Sequence, residues 1–86
     1  MNYELLMYLA INSDNPLFIV QAWNTVAHTR DLNFIQTMHF KYKDKIVQSF
    51  TKLNNEEMAS CSEPVDLDWL LINIIDSLGD TIRGAE

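Results

Sequence analysis

The two histidines and the single cysteine are the side chains that would be expected to bind a transition metal. His28, His39 and Cys61 are widely separated along the chain. A structural zinc site usually takes its ligands in pairs that are only about two to five residues apart. The spacing therefore predicts no metal site, and we expect no cofactor.

Nucleophilic and acid–base catalysis are also poorly supported by the residue pattern. Cys61 lies between Glu57 and Glu63 and has no base close to it in sequence, so its thiolate form is disfavoured. The other carboxylates of the last third fall at predicted helix caps and on polar helix faces. The chain contains only two glycines and no glycine-rich loop of the kind that holds phosphate. We therefore expect a protein that is not an enzyme.

A short basic segment is the next candidate for a binding function. The lysine segment consists of Lys41, Lys43, Lys45 and Lys52. The lysine segment either contacts DNA or a protein partner, or is simply a solvated helix face. The whole chain has a net charge of −6, which argues against DNA binding by this chain alone, because binding to phosphates depends on positive charge.

Apolar residues make up 48% of the 86 residues, which is a large share for so small a domain. A chain of this size buries only about 60 to 65% of its unfolded surface, so part of this apolar material is expected in a subunit interface. The candidate residues for a dimer or partner interface are Leu5, Leu9, Leu17, Phe18, Val20, Trp23 and Trp69. For the two tryptophans, burial in the core is the competing interpretation.

The periodicity predicts an all-α protein, a single domain over residues 1–86 that forms an orthogonal bundle of about five short helices. The first helix is predicted over residues 2–11 and the second over residues 16–29. Asn15 is a suitable N-cap for the second helix, and Pro16 suits its first position. The helices at residues 3–10 and 16–27 are expected to form the dimer.

The middle of the chain predicts two helices with a turn between them. Asp31 can cap a short helix that extends to Met38, and the chain is expected to turn around the stretch "HFK". The segment "KYKDKIVQSFTK" then predicts an amphipathic helix, with its lysines largely opposite its apolar residues.

Strong local signals predict the last two helices. Asn54 and Glu57 have the spacing of a capping box, and Asp66 can cap the final helix. Gly79 is a suitable stop signal for that helix. The run "WLLINII" is rich in β-branched residues, so residues 66–78 could instead form an extended arm that pairs with a second copy. We favour the helix because the apolar spacing of three and four residues persists across the segment.

The cysteine count and the apolar runs predict a soluble, cytoplasmic protein. A single cysteine cannot form an internal disulfide, which fits a reducing compartment. The N-terminal stretch "MNYELLMYLA" has no basic region of the kind that begins a signal peptide. The longest apolar run is too short to span a membrane.

The order of these segments resembles the FlhD family of flagellar transcriptional activators, including the FlhD-like activators of mobile elements. An apolar helix ("DNPLFIVQAWNTVA") is followed by a short helix ("RDLNFIQTMHF") and an amphipathic one ("DKIVQSFTKL"). A capped acidic helix ("LNNEEMASCSE") and an apolar segment ("VDLDWLL") complete the likeness. It covers roughly residues 14–71 by segment order and length, with few identities.

This resemblance implies a helical homodimer that assembles with a zinc-containing FlhC-like partner to activate transcription. Promoter DNA would be contacted mainly through that partner. The cysteine that can link family dimers aligns near Leu67 here, whereas this chain has its cysteine at Cys61. The alternative function is a small acidic adaptor, such as a secretion chaperone or a phage- or plasmid-encoded inhibitor, that binds a basic protein surface.

Overall fold

The computed structural model describes residues 3–63 and 65–84, with side chains described through residue 79. These residues form five helices and no strand, which confirms the all-α prediction. The helices are α1 (Tyr3–Ser13), α2 (Pro16–Ala27), α3 (Leu32–Lys52), α4 (Asn55–Ser60) and α5 (Leu67–Gly84). The predicted start of the first helix at residue 2 lies outside the described residues.

Polar side chains fix the beginnings of α2, α3 and α5, as the sequence predicts. Asn15 Oδ1 accepts the backbone N–H of Leu17 at 3.0 Å, and Asp31 Oδ1 accepts that of Phe34 at 3.1 Å. Asp66 Oδ1 does the same for the N–H of Trp69 at 3.0 Å. Each contact satisfies an N–H group that has no partner within its own helix.

The capping box at the start of α4 is also confirmed. Asn54 Oδ1 accepts the backbone N–H of Glu57 at 2.8 Å, and Glu57 Oε1 accepts the N–H of Asn54 at 3.1 Å. This reciprocal pair fixes where a helix of only six residues begins.

The predicted turn around residues 39–41 is confirmed in part, because two helical segments, which together make up α3, meet at a kink one residue beyond this stretch. The local backbone departs from helical geometry only at Tyr42, where φ is −123° and ψ is 16°. Neither glycine nor proline interrupts this stretch, so no residue forces the chain to leave the helix. The result is one long helix with a kink at Tyr42.

The last segment is a helix, so the extended arm is excluded for residues 67–78. The predicted stop at Gly79 is wrong, since α5 continues to Gly84. Glycine inside a helix costs only about 1 kcal/mol relative to alanine, so a single glycine does not by itself end a helix.

The core lies between α2 and the three helices that pack against it, α1, α3 and α5. Its fully buried members include Leu6 and Met7 from α1, Ile19 from α2, and Leu70 and Ile74 from α5. A smaller cluster joins Val20 of α2 to Leu53 and Cys61. The central position of α2 accounts for the apolar residues around most of its circumference.

None of the helices in the described ranges combines the length and the apolar character needed to cross a bilayer.

Candidate interaction site

The kink in α3 opens a broad cleft on one side of the molecule. We call it the kink cleft; its volume is about 820 Å³. One wall comes from Trp23 on α2, and the remainder comes from α3 on both sides of Tyr42. The α3 residues that line it are Ile35, Gln36, His39, Phe40, Lys41, Tyr42, Lys43, Asp44 and Lys45.

Aromatic side chains form the apolar part of the kink cleft. The rings of Trp23 and His39 lie 6.0 Å apart between centroids and are tilted by 39°. Phe40 is 90% exposed, the highest value among the exposed large apolar side chains of the described residues. A phenylalanine left in water forgoes roughly 1.5 to 3 kcal/mol of burial free energy, so this position favours contact with another molecule.

The lysine segment is less available to a ligand than its sequence suggests. Lys41 Nζ lies 3.7 Å from Glu4 Oε1, and Lys45 Nζ lies 2.7 Å from Asp14 Oδ1. Lys43 forms no ion pair within the described residues. Lys52 is exposed at the far end of α3. Two of the three lysines beside the cleft therefore already have a carboxylate partner on or next to α1.

The contact with Lys45 affects the titration of Asp14. The hydrogen bond from Lys45, followed by its positive charge, lowers the pKa of the Asp14 carboxyl below its ordinary value. The contribution of this pair to stability is therefore present above the ordinary pKa of aspartate and is lost as the pH falls through the lowered value. Both side chains are exposed, so the contribution is small.

A second candidate surface is the outward face of α5, which consists of Asp68, Trp69, Ile72, Ile75 and Asp76. Ile72 is 60% exposed, Trp69 51% and Ile75 54%. Residues three and four apart are neighbours on a helix surface, so the other four members surround Ile72. The face therefore has an apolar centre with carboxylates beside it, and it points away from buried Leu70 and Ile74.

The structure separates the predicted interface residues into three groups. Trp69 and Leu5 are exposed, as an interface requires. Leu9, Leu17, Phe18 and Trp23 are partly buried against the two core clusters of the monomer. Val20 is only 2% exposed, so its prediction as an interface residue is corrected: its side chain packs beside Leu53 and Cys61.

Sequence reasoning missed Phe40 and Ile72 as surface residues. The turn predicted around residues 39–41 left Phe40 without an assigned helix face, and the structure places it, exposed, in α3 just before the kink. Ile72 lay within the run "WLLINII", which was treated as one apolar segment. A helical projection places it on the side opposite Leu70 and Ile74, and this signal could have identified it.

The histidines and the cysteine lie apart from one another. The ring of His39 lies beside that of Trp23, whereas His28 Nδ1 lies 2.8 Å from the Asn24 carbonyl at the end of α2. Within the described part of the chain, no group of three or more His, Cys, Asp or Glu side chains could hold a metal ion.

Cys61 is a packing residue between α2 and α4. Its side chain is buried with Val20 and Leu53, and its carbonyl accepts a hydrogen bond from Asn24 Nδ2. Burial raises the pKa of the Cys61 thiol; the hydrogen bond with Ser60 opposes this shift, and the charge of Glu57 adds to it. The thiolate that would react with an electrophile is therefore disfavoured at neutral pH.

We expect iodoacetamide to alkylate Cys61 in the folded protein at least about tenfold more slowly than in urea at neutral pH, since burial limits both access and ionisation. Mass spectrometry of timed samples measures the two rates. The matched control is the C61A/S62C variant, whose exposed thiol should react rapidly in both conditions. Equal rates for folded and unfolded Cys61 would contradict its place in the core.

Comparison with known proteins found no matching family model, no matching curated protein and no matching solved structure.

Proposed function

We propose that this chain is a non-enzymatic regulatory subunit of the FlhD-like type, which forms a homodimer and assembles with an FlhC-like partner to activate transcription. Protein binding is supported by the outward face of α5. Its three large apolar side chains, Trp69, Ile72 and Ile75, are each at least half exposed. Clustered apolar side chains on a surface are typical of protein interfaces. The assignment to a transcriptional activator rests on the FlhD-like order of segments.

The charge distribution supports an indirect role in DNA binding. The net charge is −6, and within the kink cleft Lys41 and Lys45 have carboxylate partners. A duplex presents one negative charge for about every 1.7 Å along its axis, so tight binding needs several unpaired cations. In this proposal the partner supplies most of the promoter contacts.

Co-expression with the product of the neighbouring reading frame tests this function. The expected result is a stable complex that retards the promoter DNA upstream of the regulated genes, while neither protein alone does so. Recovery of the chain without a partner, together with unaltered migration of the DNA, would contradict the activator role.

A second candidate function is an acidic adaptor that binds a basic protein surface. It is favoured by Asp68 and Asp76, which are exposed and form no ion pair with any described residue. Binding of such a target would weaken with added salt, because exposed charges are screened. No promoter would be recognised in that case.

A further inference from the structure

We propose that the kink in α3 is a hinge at which two copies of this chain exchange their C-terminal parts. The N-terminal part is α1, α2 and α3 as far as Lys41, and the C-terminal part is the remainder of α3 with α4 and α5. In the exchanged dimer α3 is straight, and each N-terminal part packs against the C-terminal part of the other copy. This dimer is distinct from the one that the α5 face forms in the proposed function.

The residues at the kink do not require the chain to bend. The backbone leaves helical geometry only at Tyr42. Sharp kinks in helices usually have a local cause, such as a proline or a pair of glycine and serine residues. The stretch "FKYKDK" around Tyr42 contains no proline, glycine or serine. Lysine, tyrosine and phenylalanine are all tolerated inside helices, so a straight α3 is compatible with the local sequence.

The two parts already have surfaces that fit each other, because the monomer joins them. In the monomer α5 packs against α1 and α2, and Val20 of α2 is buried with Leu53 and Cys61. Lys45 Nζ, after the kink, lies 2.7 Å from Asp14 Oδ1, next to α1. A second copy offers the same surfaces, so it can replace each of these contacts. Exchange of an identical element is therefore a low-cost route to a dimer.

The exchanged dimer also gives an exposed aromatic side chain a partner. Phe40 is 90% exposed and lies two residues before Tyr42. Residues beside the hinge of an exchanged dimer lie near its twofold axis, where the two copies of α3 approach each other. Phe40 is thus placed where the second copy can cover it, and burial of its ring favours the dimer over two separate chains.

Formation and separation of the exchanged dimer both require the core between the two parts to open. Global opening of a small domain is slow in the absence of denaturant. Exchange is therefore favoured when the chain refolds at a high protein concentration, and the resulting dimer persists after dilution. The dimer formed through the α5 face involves only surface contacts, so it dissociates on dilution.

Crosslinking of the two ion pairs near the kink tests this exchange. Isotope-labelled and unlabelled chains of the Ile72→Asp variant, whose α5 contact is weakened, are mixed in urea and refolded at high concentration. The dimer that persists after dilution is treated with a carbodiimide, which joins a lysine amine to an adjacent carboxylate as an amide. Mass spectrometry of peptides then shows whether each crosslink joins two chains or lies within one.

We expect the crosslink between Lys45 and Asp14 to join a labelled to an unlabelled chain in every dimer that contains both. The internal control is the crosslink between Lys41 and Glu4, whose side chains lie 3.7 Å apart. Both residues belong to the N-terminal part, so this crosslink should remain within one chain. The same mixture refolded at low concentration should give monomers, in which both crosslinks lie within one chain.

A matched pair of substitutions at the hinge tests the straight helix. Tyr42→Ala and Tyr42→Gly both remove the ring, but alanine favours a helix and glycine does not. After refolding under the same conditions, the ratio of exchanged dimer to monomer should be about fivefold or more higher for the alanine variant. Equal ratios would overturn the assignment of Tyr42 as a hinge that straightens.

A persistent dimer in which the Lys45–Asp14 crosslink lies within one chain would overturn the exchange, and so would the absence of any persistent dimer. Neither result affects the wild-type dimer that dissociates on dilution. A wild-type chain without that reversible dimer would instead contradict the homodimer of the proposed function.

Discussion

Replacement of Ile74 by alanine lowers the free energy of unfolding of the monomer by about 2 to 4 kcal/mol, the largest stability effect that we expect. Ile74 is fully buried on α5 and belongs to the main core cluster with Leu6 and Leu70. The substitution removes buried methyl and methylene groups and leaves a cavity that the packed helices fill only in part. A domain of this size has a total stability of roughly 4 to 13 kcal/mol, so this loss is a large share.

The matched control is the same substitution at Ile72, which lies two residues earlier, on the opposite side of the same helix. Ile72 is exposed in the monomer, so we expect a change below about 0.5 kcal/mol. Urea unfolding followed by circular dichroism measures both values, at a protein concentration low enough for the monomer to dominate. Equal losses for the two variants would mean that α5 does not pack against the core through Leu70 and Ile74.

Replacement of Ile72 by aspartate raises the dissociation constant of the dimer by about thirtyfold or more, which corresponds to about 2 kcal/mol or more. The physical reason is that the new carboxylate takes the centre of the α5 face, where Asp68 and Asp76 already lie on either side. Burying this charge in an apolar contact costs free energy, because the carboxylate loses its hydration. Sedimentation equilibrium over a range of protein concentrations gives the dissociation constant.

The control for this prediction is Leu32→Asp, which introduces the same charge at another exposed leucine. Leu32 begins α3 and lines neither the kink cleft nor the α5 face. Its substitution should leave the dimer unchanged. If Ile72→Asp and Leu32→Asp gave the same affinity as the wild type, the α5 face would have no part in dimerisation.

Local signals in the sequence were sufficient to predict where four of the helices begin. The caps at Asn15, Asp31, Asn54 and Asp66 depend on hydrogen bonds between residues two or three apart. Such contacts require no knowledge of the rest of the fold. For the same reason the all-α class and the identity of α5 as a helix could be predicted from spacing alone.

The continuity of α3 across its kink and the end of α5 could not be predicted in this way. The stretch around Phe40 contains no helix breaker, and its apolar stripe continues through Met38 and Ile46 into the core. Packing along that stripe holds the two parts of α3 in one helix, so the chain changes direction by a kink at Tyr42 and not by a loop. Gly79 is a residue type that favours a helix end, yet α5 continues through it to Gly84.

The division between core and interface was the least predictable feature. Periodicity identifies an apolar face, but it does not reveal whether the same chain or another molecule covers it. Val20 and Trp69 were both candidates for an interface on these grounds. The fold buries Val20 and leaves Trp69 half exposed, because α2 lies between three helices and α5 lies at the surface.

The molar mass of the wild-type protein in solution tests the central claim most directly. Size-exclusion chromatography with light scattering, repeated over a wide range of concentrations, should give twice the chain mass of 10.0 kDa. The mass should fall towards that of one chain only on dilution. A protein with the mass of one chain at every concentration would contradict a homodimer formed through the exposed face of α5.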